Sequence, residues 1–389
     1  MAAEVPRLLE LVSGIAKDLG YDETKTELKP ISSGGANYTS RLFSISLSSP
    51  GKNDLKLFSK VAILGEKVRS MTDTQMYEIE ITFYTKILPK LRQLEENHNF
   101  PEEDRLVLPK YYGGVEDYAE ELMVLEDLTA KGFKSFNRFK CFDWNYAAKG
   151  VEALAKFHAL SVAFQKEDPD KYAEIIGKLK FNASNDSMAD FINKSISTAI
   201  EWTDIIYRAR VEIFLRNEMK KKTFVKFFDP ERKILLTHGD FRPSNILQKE
   251  DDDGELQLAV VDYQIIKQGN PVTDLIYFLI CGSDEEFRAN HLHEYFNYYY
   301  DTFSRYLQRL GIEPATVYLE KDFREDVKQM LPFGLVLGTL CLLFITVEED
   351  SAPKPEDGID IANFEIKASN QFQVRFNALV RDYVKLGIL

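Results

Sequence analysis

The segment LTHGDFRPSNILQ, residues 236–248, sets a carboxylate, Asp240, and a carboxamide, Asn245, five positions apart between apolar ends. Pro243, Ser244 and Asn245 are ordinary turn residues, and His238 can serve as a hydrogen-bonded core histidine. The same residue types also suit a catalytic loop in which Asp240 handles a proton and Asn245 helps hold a metal. The sequel, NILQKEDDDGELQLAVVDY, reads as a hairpin, with two apolar runs flanking a polar turn that ends in Asp253-Gly254. Antiparallel strands bring Asn245, entering the first strand, and Asp262, ending the second, to one end of the hairpin. An Asp and an Asn with oxygen ligands suit magnesium, which keeps several waters and shares its site with substrate phosphates. Asp240 is then free to accept a hydroxyl proton, the division of labour that phosphoryl transfer needs.

Such chemistry needs positive charge on a nucleotide. Lys60, in LFSKVAI, is placed to contact α- and β-phosphates, and Glu80, in EIEITFY on the following helix, to pair with it and fix its direction. Taken singly, each fits a solvated strand or helix face; their order ahead of the Asp240 segment favours the paired reading. Gly34 and Gly35, within SSGGANY, could cover phosphates through backbone amides, although Gly-Gly marks any turn.

These residues must be carried by two kinds of framework. Residues 43–48 alternate apolar and polar, a turn-like PGKND follows, and LKLFSKVAIL makes a second strand. In the next element Met76, Ile79, Phe83 and Ile87 recur three or four apart on one helical face. Further strands are expected at 107–112 and 122–125. From about residue 129 helical patterns dominate, at 144–165, 187–220, 285–310, 322–347 and 364–385. The expected fold is therefore α+β, a small sheet-rich lobe followed by a larger helical one. Its 389 residues suffice for two lobes, and the formal charge of −13 excludes a phosphate-backbone binder, so no nucleic-acid partner is expected. Three cysteines, Cys141, Cys281 and Cys341, without CxxC spacing, argue against a disulfide framework or a zinc site and for a reducing, cytoplasmic compartment. The N-terminus reads as an amphipathic helix rather than a secretory signal. Residues 330–347 carry no charge, but Pro332, Gly334, Gly338, the lack of a flanking Lys/Arg cluster and the EED that follows favour a buried core helix over a membrane span.

The pattern HGDxxxxN followed by Asp262 resembles that of the aminoglycoside and choline kinase group, which shares the protein-kinase fold. More closely, NYTSRLFSI, EIEITFYTKILP, MVLEDLTAKGF, LAKFHALS and LTHGDFRPSNIL, in that order, resemble the ecdysteroid kinase-like (CHK kinase-like) family. The resemblance runs from about residue 30 to 280, and the helical remainder fits that family's larger lobe. It implies a protein-kinase-like two-lobed fold, with a nucleotide-binding lobe at 1–128, a catalytic and substrate lobe at 129–389 and a hinge at about 124–130. It further implies that Asp240 is the catalytic base, that Asn245 and Asp262 bind Mg2+, that Lys60 contacts the phosphates of ATP and that Glu80 orients it. Glu126 and Leu128 would offer main-chain groups to adenine. Asp274 would be a structural carboxylate tying down the catalytic loop, with a helix N-cap as its other reading. His238 is expected to orient the loop rather than exchange protons, and His158 to be a core helix residue.

This sequence departs from its relatives in three places. Tyr263-Gln264 follows Asp262 where protein kinases carry Phe-Gly, the Gly34-Gly35 turn is not GxGxxG, and position 242 is Arg where members often carry a ring. Arg242 is therefore a candidate substrate or phosphate contact. The implied activity is ATP- and Mg2+-dependent transfer of a γ-phosphoryl group to a small-molecule alcohol, an ecdysteroid-type steroid or a hydroxylated xenobiotic. The alternatives are a choline- or aminoglycoside-type acceptor and a non-catalytic nucleotide-binding protein.

Overall fold

The computed structural model describes residues 4–21, 24–32, 39–63, 76–179, 189–220, 227, 230–251, 253–348, 350 and 367–389. The glycine turn, Gly34 and Gly35, lies outside them. After α1 (Glu4–Asp18), strands β1 (Lys25–Ile31), β2 (Ser40–Ser48), β3 (Leu55–Ala62), β4 (Tyr111–Val115) and β5 (Leu122–Glu126) form an antiparallel sheet in the order β1-β2-β3-β5-β4. Successive side chains of a strand point to opposite faces, and β3 uses both. Leu57 and Val61 pack with Leu8, Val12 and Ile15 of α1 on one side. Phe58, Lys60 and Ala62 alternate with them, and Phe58 and Ala62 join the main core on the other side.

That second side receives α2, built from an α-helical Met76–Thr82, a π-helical Phe83–Ile87 and an α-helical Leu88–Asn97. The π turn falls just ahead of Pro89, which has no N–H to donate to the fourth preceding carbonyl. The Leu88 N–H reaches instead to the Phe83 carbonyl.

The remainder is helical around two small sheets: β6 (Lys134–Ser135), β8 (Ile246–Glu250) and β9 (Leu256–Val260) form one, and β7 (Leu235–Thr237) with β10 (Lys267–Gly269) the other. The helices are α3 (Trp144–Glu167), α4 (Pro169–Ile176), α5 (Ala189–Trp202), α6 (Arg208–Lys220), α7 (Pro271–Gly282), α8 (Glu285–Arg309), α9 (Glu320–Met330), α10 (Phe333–Thr346) and α11 (Asn370–Lys385). All pairings in the three sheets are antiparallel, so the chain is α+β, as its sequence leads one to expect.

The structure corrects several boundaries. The helix expected over 187–220 is two, because Asn377 of α11 caps the break from outside. Its Oδ1 accepts from the Asp204 N–H at 2.8 Å, and its Nδ2 donates to the Trp202 carbonyl at 2.9 Å. The helix expected over 322–347 breaks at Leu331-Pro332 into α9 and α10, bent by 58°. Among the described residues no single helix is long and apolar enough to cross a membrane, and α10 is buried apart from Cys341 and Phe344. The strand expected from Val107 starts only at Tyr111, beyond Pro109, which cannot donate to a ladder. β1, α4, α7 and the β7–β10 pair carry too little local periodicity to be expected from sequence.

Candidate active site

Lys60 leaves β3 on the face opposite α1. Its Nζ donates to both carboxylate oxygens of Glu80 at 2.9 Å and to Asp262 Oδ1 at 2.5 Å. Glu80 is buried on α2. Asp262 follows β9 with a φ of 73°, left-handed backbone that costs a non-glycine residue about 1 kcal/mol and re-aims its side chain. Burial works against the Lys60 charge, yet the two carboxylates hold its pKa well above the usual lysine value. Burial raises Glu80; it opposes the charge of Asp262 as well, but attraction and hydrogen bonding to Lys60, with Arg242 and His238, together hold Asp262 low. One lysine thus serves two carboxylates in a part-buried cluster, and Glu80, whose pKa burial pushes up to about 7, is the one whose charge is held less firmly.

The β8–β9 hairpin closes as its pattern requires, with Ile246 opposite Val260 and the Val261 N–H donating to the Asn245 carbonyl at 2.9 Å. Asn245 is the last residue of a single 3-10 turn, Pro243–Asn245, and Asp262 sits one residue beyond Val261. The Asn245 Nδ2 donates to the Asp240 carbonyl at 3.0 Å and to Asp240 Oδ2 at 2.9 Å. Only the nitrogen of an amide can do this, which frees Asn245 Oδ1 to accept or to ligate. Asp240, buried to 8% exposure, also receives the Arg242 Nε, 3.1 and 3.2 Å from its two carboxylate oxygens. Asp240 thus sits between an amide and a guanidinium rather than between carboxylates.

The loop bearing Asp240 is pinned from behind. Asp274, in the first turn of α7 and 1% exposed, accepts the His238 N–H at 2.7 Å and the Gly239 N–H at 2.9 Å. The α7 N-cap is Asn270, not Asp274. His238 Nε2 lies 3.0 Å from the Val261 carbonyl, and its Nδ1 accepts the Asp240 N–H at 3.3 Å, so the imidazole spans the loop bearing Asp240 and the end of the hairpin. Sequence reasoning assigned His158 to the core and missed its partners. Fully buried on α3, it meets Asp274 Oδ2 through Nε2 at 3.2 Å and the Tyr299 hydroxyl through Nδ1 at 2.7 Å. Burial depresses its pKa despite Asp274, so the ring is neutral, with Nε2–H donating to the carboxylate and Nδ1 accepting from the hydroxyl.

In front of this framework lies a cleft of about 360 Å³ whose walls include Lys60, Glu80, Glu126, Leu128, Arg242, Asn245 and Asp262. Ser32 and Thr39, which flank residues 33–38, border it, as do Ser244 and Gln264, which the sequence reading did not single out. Glu126 ends β5, and its N–H donates to the Lys110 carbonyl at 2.7 Å. Leu128 opens a 3-10 turn that Asp127 caps by accepting the Thr129 N–H. Of the residues singled out from sequence, one connected constellation runs from Lys60 and Glu80 through Asp262, Asn245 and Asp240, with Arg242, to His238 and Asp274, while Glu126 and Leu128 only share the cleft wall. Among the described residues no group of three or more His, Cys, Asp or Glu side chains could by itself cage a metal ion.

The sequence profile of the ecdysteroid kinase-like family matches residues 34–312. An uncharacterised kinase-like protein of Caenorhabditis elegans is 29% identical over 202 residues, covering 50% of this chain and 51% of that protein, so the match spans about half of that relative's length. Among solved structures, a Plasmodium vivax ethanolamine kinase aligns over 94% of this chain and 83% of its own at 11% identity and a TM-score of 0.47. The GDP complex of wild-type aminoglycoside 2'-phosphotransferase IIIa aligns over 86% and 90%, at 11% identity and a TM-score of 0.46. With its β-rich first part, its helical second part and a family match over more than two thirds of its length, this chain belongs to the ecdysteroid kinase-like family.

Proposed function

We propose that the chain is an ATP- and Mg2+-dependent small-molecule kinase that transfers the γ-phosphoryl group to an alcohol, either a steroid hydroxyl of the ecdysteroid type or a hydroxylated foreign compound. The observation that carries the reading is the convergence on one cleft of a Glu-oriented lysine, the Asp262 carboxylate paired with it, an Asn whose amide oxygen is free, and beside them an aspartate that can serve as base. A volume of about 360 Å³ lies within the range of small-ligand pockets. In this reading Lys60 holds the α- and β-phosphates, Glu80 keeps Lys60 aimed, and main-chain groups of Glu126 and Leu128 meet adenine at a hinge over 124–130, which divides a lobe at 1–128 from one at 129–389.

The donor chemistry fits a hard divalent cation. Asn245 Oδ1 and the Asp262 carboxylate are oxygen ligands beside a cleft, too few for an all-protein cage and suited to an ion that completes its shell with phosphate oxygens and water. When bound, Mg2+ would neutralise charge on the phosphates. Asp240 accepts the proton of the acceptor hydroxyl, and His238 and Asp274 hold its loop in place. The three free thiols, Cys141, Cys281 and Cys341, suit a cytoplasmic enzyme.

The test is Asp240→Asn assayed with labelled ATP against hydroxylated sterols, choline and an aminoglycoside. Turnover should fall by about a thousandfold, the scale of a lost general base, while ATP binding by calorimetry persists. Undiminished turnover removes Asp240 from that role, and phosphorylation of choline with sterols untouched overturns the acceptor assignment.

A further inference from the structure

Asp240 brings a buried negative charge to the place where an acceptor hydroxyl must lie, and a buried charge needs compensation. A cationic alcohol would bring that compensation with it. In this chain the compensation is built in: Arg242 Nε lies 3.1 Å from Asp240, and its side chain, 19% exposed, forms part of the cleft wall. Arg242 reaches this place because its backbone is extended, with φ −132° and ψ 157°, just ahead of the Pro243–Asn245 turn. Other groups close enough to influence its charge include Asp262, the Tyr277 hydroxyl and the Cys281 and Cys341 thiols. Tyr277 and Cys281 lie on α7, and Cys341 of α10 donates to the Tyr277 hydroxyl at 3.4 Å. Burial raises the pKa of Tyr277 and of Cys281, and none of the three groups is a carboxylate that could pair with a second cation. Among the described residues the only ion pair of Arg242 is with Asp240.

We propose that Arg242 is a charge filter on the acceptor side of the base, so that the site takes alcohols uncharged near the reacting hydroxyl and rejects those with a neighbouring ammonium. This rests on the reading of Asp240 as base. A cation two carbons from a hydroxyl held by Asp240 would sit roughly 6 Å from the guanidinium. At that separation, in the effective dielectric of a part-buried site, like-charge repulsion is worth about two powers of ten in affinity.

The experiment compares kcat/KM for choline and for neohexanol, its isostere with carbon in place of the quaternary nitrogen, in the wild type, Arg242→Gln and Arg242→Lys. Wild type should favour neohexanol by tenfold or more, Arg242→Gln should shift the ratio toward choline by about a hundredfold, and Arg242→Lys should keep the wild-type preference. A role in folding alone would lower both activities together and leave their ratio fixed. A wild-type preference for choline, no transfer to neohexanol, or a ratio unmoved in Arg242→Gln overturns the filter. Asp240→Asn run alongside separates the two ideas: full activity there removes the base itself, whereas lost activity with an unmoved Arg242→Gln ratio removes only the filter.

Discussion

Replacing Asp274 by Asn tests whether the catalytic loop is held from behind by charge. The carboxylate accepts three donors, two backbone N–H groups and the His158 Nε2–H, at 2.7, 2.9 and 3.2 Å in a site 1% exposed. An amide oxygen standing in for Oδ2 keeps His238 N and His158 as neutral rather than charge-assisted bonds, at a loss of about 1 kcal/mol. The amide nitrogen then faces the Gly239 N–H, donor against donor, and a buried donor without an acceptor costs about 1–3 kcal/mol. The expected loss is about 3 kcal/mol in urea denaturation. Because Gly239 precedes Asp240, kcat should fall by more than the KM for ATP rises. A cycle with His158→Phe should show the two changes coupled by up to about 1 kcal/mol, since Asp274→Asn weakens and His158→Phe removes the same contact. A loss below about 1 kcal/mol, unchanged kcat, or strict additivity would refute the idea that Asp274 positions the loop.

Two further outcomes follow from the same corner of the molecule. His158 has a folded pKa below its unfolded value of 6.5, so its contribution to stability is full above that pH and is lost as pH falls toward the depressed folded value. Urea midpoints measured downward from pH 6.5 should therefore fall less steeply in His158→Phe than in the wild type, and parallel slopes would contradict a neutral buried imidazole. Gly239 has φ +84°, and a Cβ there would lie 2.6 Å from the Ile265 carbonyl oxygen. Gly239→Ala should lose about 2–3 kcal/mol and most of its kcat, by strain and by displacement of the residue before the base; a wild-type midpoint would show that the loop can relax.

The parts of the site that sequence made legible are those whose geometry is local. A hairpin has one register once its apolar runs and turn are placed, and that register alone brings Asn245 beside Asp262. Period-two alternation in LKLFSKVA puts Lys60 opposite Leu57 and Val61, away from the face that α1 covers. What stayed hidden depends on groups distant in the chain. His158, Asp274 and Tyr299 lie on three helices and meet only when α3, α7 and α8 pack. Asn377 ends α5 from outside, and nothing in the sequence around Trp202 announces it. The Arg242–Asp240 pair is local in sequence but depends on a side-chain direction that no residue pattern specifies.

The π turn in α2 was equally hidden, and it bears on how the lysine is held. Glu80 precedes the turn and Phe83 opens it. Phe83 stacks on Tyr263 with ring centroids 3.7 Å apart and planes 7° from parallel, and Tyr263 is the neighbour of Asp262. The helix that supplies one carboxylate to Lys60 is thereby packed against the residue next to the other. A shift of α2 that withdrew Glu80 would also have to break this stack, which is buried and within the main core. The lysine is therefore triangulated by one packing unit rather than by two independent ion pairs. Truncating Phe83 should therefore disturb both carboxylates together, because Tyr263, the neighbour of Asp262, is its stacking partner.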